Sequence, residues 1–161
     1  MREIYRQWVT EYQDEAWSLA RYLLRDASEA EDATQEAFAS LWRHRESVEP
    51  DKVKPWLMKV LRNECFDRLR RRRPQDELED THRLEEAGPM VQTEQGELSR
   101  WLAQAITALG EPYRSLVILR DVQQNSYEAV AATMNLSAAQ VKVYLHRARK
   151  QLREQLVELK P

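Results

Sequence analysis

Apolar residues recur at helical spacing through the first 73 residues, and they predict three helices. The first helix covers about residues 2–25, where apolar positions return every three or four residues. Ser28-Glu29-Ala30-Glu31 fits a capping box, which predicts that a second helix starts there. A third helix is predicted to begin near Pro55, a residue suited to the first turn of a helix.

A second group of helical patterns follows residue 97. Apolar positions between residues 98 and 109 predict one helix, which Gly110 ends. Pro112 opens the next helix, which runs to about Val122, and Ser126 is placed to cap another. The 161 residues include only three glycines, and no run alternates convincingly between polar and apolar positions. The predicted fold class is therefore all-α, with two small helical domains at residues 1–73 and 97–161.

Residues 74–96 differ from both blocks in having few apolar side chains and many charges. Such a segment buries too little apolar surface to offset the entropy of ordering it. It is predicted to be a flexible acidic linker.

Charge is distributed unevenly along the chain. The net charge is −6 over residues 1–51, +7 over residues 52–73, −7 over residues 75–97 and +4 over residues 138–154. Two basic patches separated by an acidic strip indicate two contacts with a polyanion.

The stretch from Ser126 to Leu152 has the spacing of a DNA-binding helix-turn-helix. Ala131 is small where two helices approach closely, Asn135 occupies the turn, and Val141 faces inward six residues later. An ordinary helical hairpin is the alternative.

The second helix of this motif is the predicted recognition helix. Val143 is suited to contact a thymine methyl group, and Gln140 to bond an adenine edge. Lys142, Arg147, Arg149 and Lys150 are expected to bind phosphates. The alternative is a solvated basic face. The complete predicted DNA-facing set of this helix is Ala139, Gln140, Lys142, Val143, His146, Arg147 and Lys150.

The third helix presents a face that mixes cations, an amide and aromatic rings. Trp56, Lys59, Asn63, Phe66 and Arg70 lie opposite Leu57 and Leu61 on a helical wheel. Aromatic rings stack on exposed bases while cations hold the backbone, so this face suits melted DNA. The alternative is that Trp56 and Phe66 pack against neighbouring helices.

The second helix carries an acidic face, formed by Asp32, Gln35 and Glu36 at helical spacing. Such a face repels DNA. It is either solvated or a docking surface for a basic protein.

Three motifs together resemble a bacterial RNA polymerase sigma factor of the small, two-domain extracytoplasmic-function (ECF) type. The motifs are "ASEAEDATQEAFASLWRHR" (27–45), "KPWLMKVLRNECFDRLRRRR" (54–73) and "ALGEPYRSLVILRDVQQNSYEAVAATMNLSAAQVKVYLHRARKQLRE" (108–154). The first resembles the region-2 helix that binds the polymerase clamp, and the second resembles the segment that opens and reads the minus-ten element. The third resembles region 4, which reads the minus-35 element, so the resemblance implies that the seven DNA-facing residues of the recognition helix are the minus-35 set.

The resemblance implies partners and roles. Asp32, Gln35 and Glu36 match the family's D-x-x-Q-E pattern, which implies docking on the clamp helices of the largest polymerase subunit. The resemblance also implies three further partners, which are the polymerase flap, promoter DNA and an anti-sigma factor. It implies that the linker threads through the polymerase and that the four arginines at 70–73 bind promoter DNA. The implied minus-ten residues are Trp56, Lys59, Arg62, Asn63, Arg70 and Arg71.

Some residues depart from the family's usual pattern near the base-reading positions. Ala139-Gln140 stands where Gly-Thr is common, Val143-Tyr144 where Ser-Arg is common, and Asn135 where the turn often has glycine. Lys59 replaces a common arginine. The family's usual promoter sequence therefore does not transfer to this chain.

A free-standing transcriptional regulator and an enzyme are the two alternatives to this interpretation. A free-standing regulator would bind DNA without polymerase. An enzyme is disfavoured because the three histidines lie in separate segments without ligand spacing, and no Gly-rich phosphate loop is present. No cofactor or metal is predicted.

The expected location is the cytoplasm, without membrane insertion. Cys65 is the only cysteine, which fits a reducing compartment. No apolar run approaches membrane-spanning length, and the first 15 residues are too polar for a signal peptide.

Overall fold

The computed structural model describes residues 1–72 and 94–159, with side chains described from residue 100 onward in the second segment and up to residue 158. These residues form seven α-helices and no strand, which confirms the all-α prediction. They fall into two compact units, one on each side of the intervening segment. Arg73 and most of the predicted linker at residues 74–96 lie outside the described residues.

The first unit is a bundle of three helices that all contact one another. They are α1 (Arg2–Leu24), α2 (Ala27–Arg43) and α3 (Val53–Arg71), with a short 3₁₀ helix, Pro50–Lys52, before α3. Their apolar stripes meet in one core, because each stripe repeats at the period of the helix. The largest fully buried side chains in this core are Leu19, Leu23, Leu24, Leu41, Leu57, Met58 and Leu61.

The start of α2 differs from the predicted capping box. Asp26, not Ser28, is the N-cap: its backbone is extended, and its side-chain oxygen accepts a hydrogen bond from the Glu29 amide at 3.1 Å. A carboxylate at this position satisfies a free amide and also interacts favourably with the positive end of the helix dipole. Ser28 lies inside the first turn, so the capping-box prediction was wrong.

The third helix begins two residues before the predicted start. It starts at Val53, directly after the 3₁₀ helix. Pro55 still lies in the first turn, where the missing amide hydrogen costs no hydrogen bond. Val53 is fully buried, so the residues just before Pro55 contribute to the core.

The second unit contains α4 (Glu94–Ala108), α5 (Tyr113–Val117), α6 (Tyr127–Met134) and α7 (Ala138–Leu159). A π-helical segment, Ile118–Val122, continues α5 to the predicted end at Val122. The helix α4 begins at Glu94, so residues 94–96 are helical where a linker was predicted. The fully buried core includes Ile106, Leu109, Leu116, Ile118 and Leu119.

The helices α6 and α7 form the predicted helix-turn-helix. Ser126 caps α6 by accepting a hydrogen bond from the Ala129 amide at 3.1 Å. Asn135 ends α6 in the left-handed region with φ of 56°, a conformation that asparagine tolerates better than most residues. Val141 is fully buried at the start of α7, as the spacing predicted.

Candidate nucleic-acid and polymerase interfaces

The predicted recognition helix, α7, exposes one polar face and buries the other. Val141, Leu145 and Ala148 are buried. Val143 is 49% exposed although it is apolar, which leaves its methyl groups available for a contact such as a thymine methyl. All seven predicted minus-35 residues are exposed: Ala139, Gln140, Lys142, Val143, His146, Arg147 and Lys150.

Gln140 has a structural partner that the sequence analysis missed. Its side-chain oxygen accepts a hydrogen bond from the Ser137 amide at 2.9 Å, and the Ser137 hydroxyl oxygen accepts one from the Gln140 amide at 3.1 Å. This is a reciprocal capping box at the start of α7. The S-x-x-Q spacing was the available signal. The amide nitrogen of the Gln140 side chain is not used by this pair of bonds.

The Arg149 side chain is paired with a carboxylate, whereas its charge had indicated a contact with phosphate. Its Nε and Nη2 atoms donate hydrogen bonds to the two carboxylate oxygens of Asp121, at 3.0 and 2.7 Å. The hydrogen bond to Asp121 also raises the pKa of the Arg149 guanidinium.

The predicted minus-ten face of α3 contains exposed polar residues and half-buried aromatic residues. Lys59, Asn63, Arg70 and Arg71 are exposed. Arg70 pairs with Asp67, and the Arg71 Nε donates a hydrogen bond to the Asp67 backbone carbonyl at 3.2 Å. These contacts lie within one helix and leave the side chains at the surface.

The aromatic residues of this face are partly packed. The ring of Trp56 is half-buried, and its centroid lies 5.5 Å from that of His44, which follows α2. Phe66 is half-buried beneath the guanidinium of Arg62, at 4.7 Å from the ring centroid. The structure thus brings Trp56 together with His44, a residue that the sequence analysis did not place at this face.

Arg72 does not belong to the exposed basic run. Its side chain is only 8% exposed and forms an ion pair with Glu29 in α2. Its Nη2 also donates a hydrogen bond to the Leu24 carbonyl, at the end of α1, at 2.6 Å. The expectation that all four arginines at 70–73 grip DNA is therefore wrong for Arg72, because this side chain ties the end of α3 to the α1–α2 corner.

The acidic face of α2 is exposed at Asp32, Gln35 and Glu36. Glu36 forms a surface ion pair with Arg43 at 3.2 Å. Gln35 also lines an apolar groove of about 670 Å³ between α1 and α2, which includes Phe38 and the 41%-exposed Trp17. The acidic face and this groove therefore adjoin on one side of the first unit.

Two further features, a metal-binding cluster and a membrane-spanning helix, are absent from the described residues. No three histidine, cysteine, aspartate or glutamate side chains come together there in a way that would hold a metal ion. None of the helices in residues 1–72 and 94–159 is long and apolar enough to cross a membrane.

Comparison with protein families gives two matches in chain order. Residues 8–75 match Sigma-70 region 2, and residues 99–152 match Sigma-70, region 4. The first match spans α1 to α3, and the second includes the helix-turn-helix.

Two curated relatives align over nearly the whole chain. An ECF RNA polymerase sigma factor, SigE of Mycolicibacterium smegmatis, is 31% identical over 93% of this chain and 60% of its own length. The RNA polymerase sigma-E factor of Streptomyces coelicolor is 32% identical over 95% of this chain and 86% of its own length. The chain therefore spans somewhat less than two thirds of the first relative and most of the second.

Two solved structures share the fold. CnrH, in complex with the cytosolic domain of CnrY, has a TM-score of 0.75 and 22% identity, covering 99% of this chain and 92% of CnrH. The sigma factor RpoE, in complex with the anti-sigma factor NepR from Bartonella quintana, has a TM-score of 0.71 and 23% identity, covering 97% of this chain and 98% of RpoE.

Proposed function

We infer that this chain, which belongs to the extracytoplasmic-function group of the sigma-70 family of RNA polymerase sigma factors, binds core RNA polymerase and directs it to specific promoters. It also assists promoter melting at the start of transcription. The observation that carries this function is the presence of both matched regions in order, each with an exposed basic surface.

The first unit is proposed to make the polymerase contact and the minus-ten contact. Asp32, Gln35 and Glu36 are exposed on α2, which supports docking on the basic surface of the polymerase clamp. Lys59, Asn63 and the other exposed groups of α3 would contact DNA as it opens, since cations hold the backbone and aromatic rings stack on bases.

The second unit is proposed to read the minus-35 element through α7, with the polymerase flap as its protein neighbour. A basic helix whose buried side packs against α4 to α6 has the geometry of a recognition helix in a major groove. On this proposal the functional domains are residues 1–73 and 97–161, joined by residues 74–96.

Regulation by an anti-sigma factor is part of the proposal. The RpoE structure contains an anti-sigma factor, NepR, which supports a comparable partner for this chain. The protein would have no catalytic activity of its own, and it would work in the cytoplasm because core polymerase and DNA are located there.

Run-off transcription with core polymerase on genomic fragments tests this function. Transcripts that start at defined promoters only when the protein is added are expected. A free-standing regulator would instead shift promoter fragments in a gel without core polymerase and would not support transcription. Specific gel shifts that need no core enzyme would contradict the proposal.

The polymerase contact has its own test. The double substitution Asp32→Lys and Glu36→Lys should abolish capture of core polymerase in a pull-down, because it replaces attraction to a basic surface with repulsion. Helicity should stay unchanged, since both side chains are exposed. Glu11→Lys, another charge reversal at an exposed position, is the control and should bind core normally. Unchanged capture by the double variant would refute the assignment of this face.

A further inference from the structure

An ion pair joins the recognition helix to the π-helical segment that precedes the helix-turn-helix. Asp121 lies in Ile118–Val122, and Arg149 lies in the middle of α7. Both nitrogens of the guanidinium edge bond the two carboxylate oxygens, at 3.0 and 2.7 Å. A two-bond contact of this kind fixes the relative orientation of the two groups, which a single charge contact does not do.

The aromatic ring of Tyr127, the first residue of α6, lies beside this pair. The guanidinium of Arg120 lies 4.5 Å from the ring centroid, and the Lys142 ammonium lies 5.9 Å from it. The Tyr127 side chain also interacts with the Arg149 guanidinium. The cluster therefore connects three elements: the π-helical segment, α6 and the recognition helix.

The base of this cluster is anchored in the core. Ile118 and Leu119 in the same π-helical segment are almost completely buried, and the Arg120 Nη1 donates a hydrogen bond to the Asn125 carbonyl at 2.8 Å. Asp121 thus projects from a fixed segment. Arg149 lies one helical turn after the buried Leu145, so its side chain leaves α7 near the packed face.

We propose that Asp121 and Arg149 are positioning residues that hold the recognition helix at the orientation in which its exposed face meets the minus-35 element. Arg149 is then excluded from the phosphate contacts, although it lies between two exposed cations, Arg147 and Lys150. This inference rests on the proposed reading of the minus-35 element by α7. It adds that a carboxylate on a DNA-binding unit strengthens sequence-specific binding.

The substitution Asp121→Asn gives the sharpest test, because the two interpretations predict opposite signs. If Asp121 is only a negative charge near DNA, its removal tightens binding to every sequence by reducing repulsion. If Asp121 positions α7, its removal weakens binding to the cognate promoter. We expect about a fivefold loss of discrimination between the cognate promoter and one with a scrambled minus-35 element, the upper end for an exposed ion pair.

The substitution Arg149→Lys separates positioning from phosphate binding. Lysine keeps the charge, so a phosphate contact would survive. It lacks the planar two-pronged edge, so the oriented pair with Asp121 would not. Discrimination should fall as it does for Asp121→Asn. Arg149→Gln should lower discrimination without changing the salt dependence, whereas losing a phosphate contact would reduce the slope of log affinity against log salt by about 0.9.

The measurements use holoenzyme assembled from core polymerase and full-length chain, with equilibrium binding to both promoters at several salt concentrations. Arg153→Gln, which removes an exposed charge from the same helix, is the matched control and should keep wild-type discrimination. The double variant Asp121→Asn/Arg149→Gln should be no worse than Arg149→Gln alone, because the two residues act as one unit.

Four results would overturn the inference: unchanged or tighter cognate binding by Asp121→Asn, wild-type discrimination by Arg149→Lys, a salt slope reduced by about 0.9 in Arg149→Gln, or additive losses in the double variant. Thermal unfolding of each variant shows whether the unit remains folded. A wild-type holoenzyme that ignores the minus-35 sequence would instead refute the proposed function, so the two failures are distinguishable.

Discussion

At the scale of single residues, the sequence shows which side chains are basic, but it does not show which of them are paired with another side chain in the folded protein. Lys59 and Asn63 are exposed, as a DNA-facing role requires. Arg72 was grouped with its neighbours, yet it bonds Glu29, which is 43 residues away in the sequence. Pairings over such distances depend on how the helices pack, and no local pattern records them.

Arg72 and Arg70 allow this difference to be measured. Arg72→Ala should lower the free energy of unfolding by about 1–3 kcal/mol, because it removes charged hydrogen bonds to Glu29 and to the Leu24 carbonyl. Arg70→Ala removes a side chain that is 72% exposed and should change stability by less than about 0.5 kcal/mol. Urea unfolding of both variants makes the comparison. Equal effects would mean that the Arg72 contacts do not stabilise the bundle.

The contribution of the Cys65 thiol to the free energy of unfolding depends on pH. Burial, followed by the nearby charge of Glu64, raises the pKa of its thiol to about 12. The unfolded thiol ionises near pH 8.5. The contribution of the buried neutral thiol is therefore complete below about pH 8.5 and is lost as the pH rises toward 12.

Comparison with Cys65→Ala isolates this contribution. Between pH 8.5 and 10.5, wild type should lose stability relative to the variant by up to about 1.4 kcal/mol per pH unit, as the unfolded thiol ionises. Urea unfolding at each pH measures the difference, in which contributions from other titrating groups cancel. The folded thiol should also resist thiol reagents at pH 8. A constant difference across this range would contradict the assignment of a buried neutral thiol.

At the scale of secondary-structure elements, helix existence was easier to predict than helix ends. The period of apolar positions fixes where a helix packs, whereas its first residue depends on competing caps. At the start of α2 both Asp26 and Ser28 could cap the helix, and Asp26 is the N-cap. Its carboxylate accepts a hydrogen bond from the Glu29 amide and interacts favourably with the helix dipole. The π-helical form of Ile118–Val122 has no sequence signal that we recognise.

Gln140 has two roles to separate: its side chain completes the capping box of α7, and it is proposed to contact DNA. Gln140→Glu keeps an oxygen that can accept from the Ser137 amide, so the stability of the unit should be unchanged or slightly higher. The same change removes the amide donors and adds a negative charge, so it should weaken promoter binding. Gln140→Ala should lower stability by about 0.5–1 kcal/mol through loss of the cap.

Thermal unfolding and promoter binding by holoenzyme are measured on both Gln140 variants. Glutamate separates the two roles because it preserves the cap while changing the surface offered to DNA. If Gln140→Glu binds the promoter as tightly as wild type, Gln140 is a capping residue and does not contact a base edge.

At the scale of the whole molecule, the two basic segments of the sequence belong to two different helical units. The basic segments 52–73 and 138–154 lie on different units, and each contributes exposed cations to a candidate DNA surface. The groove beside the acidic face of α2 was missed, because it is formed by side chains from two helices and has no linear signature. If the two units have the proposed roles, mutations can separate promoter binding from promoter opening.

Lys59→Ala and Asn63→Ala should affect opening more than binding. These two side chains would hold the backbone and base edges of a separated strand beside the aromatic rings of α3, and such contacts form only after the strands separate. Closed-complex formation should therefore stay nearly normal, while thymines in the minus-ten region become less reactive to permanganate. Lys150→Ala should show the reverse: weaker closed-complex formation with a smaller salt dependence, and normal permanganate reactivity in each complex that forms.

A promoter with a pre-melted bubble distinguishes starting the opening from holding the open strand. It should restore transcription to a variant that is defective only in starting the opening, because the energy of strand separation is already supplied. It should not restore a variant that cannot hold the captured strand. Both side chains are exposed, so loss of folding does not confound the result, whereas the half-buried Trp56 needs a helicity check before any substitution is interpreted. Normal permanganate reactivity in both folded variants would reduce α3 to an anchor on duplex phosphates.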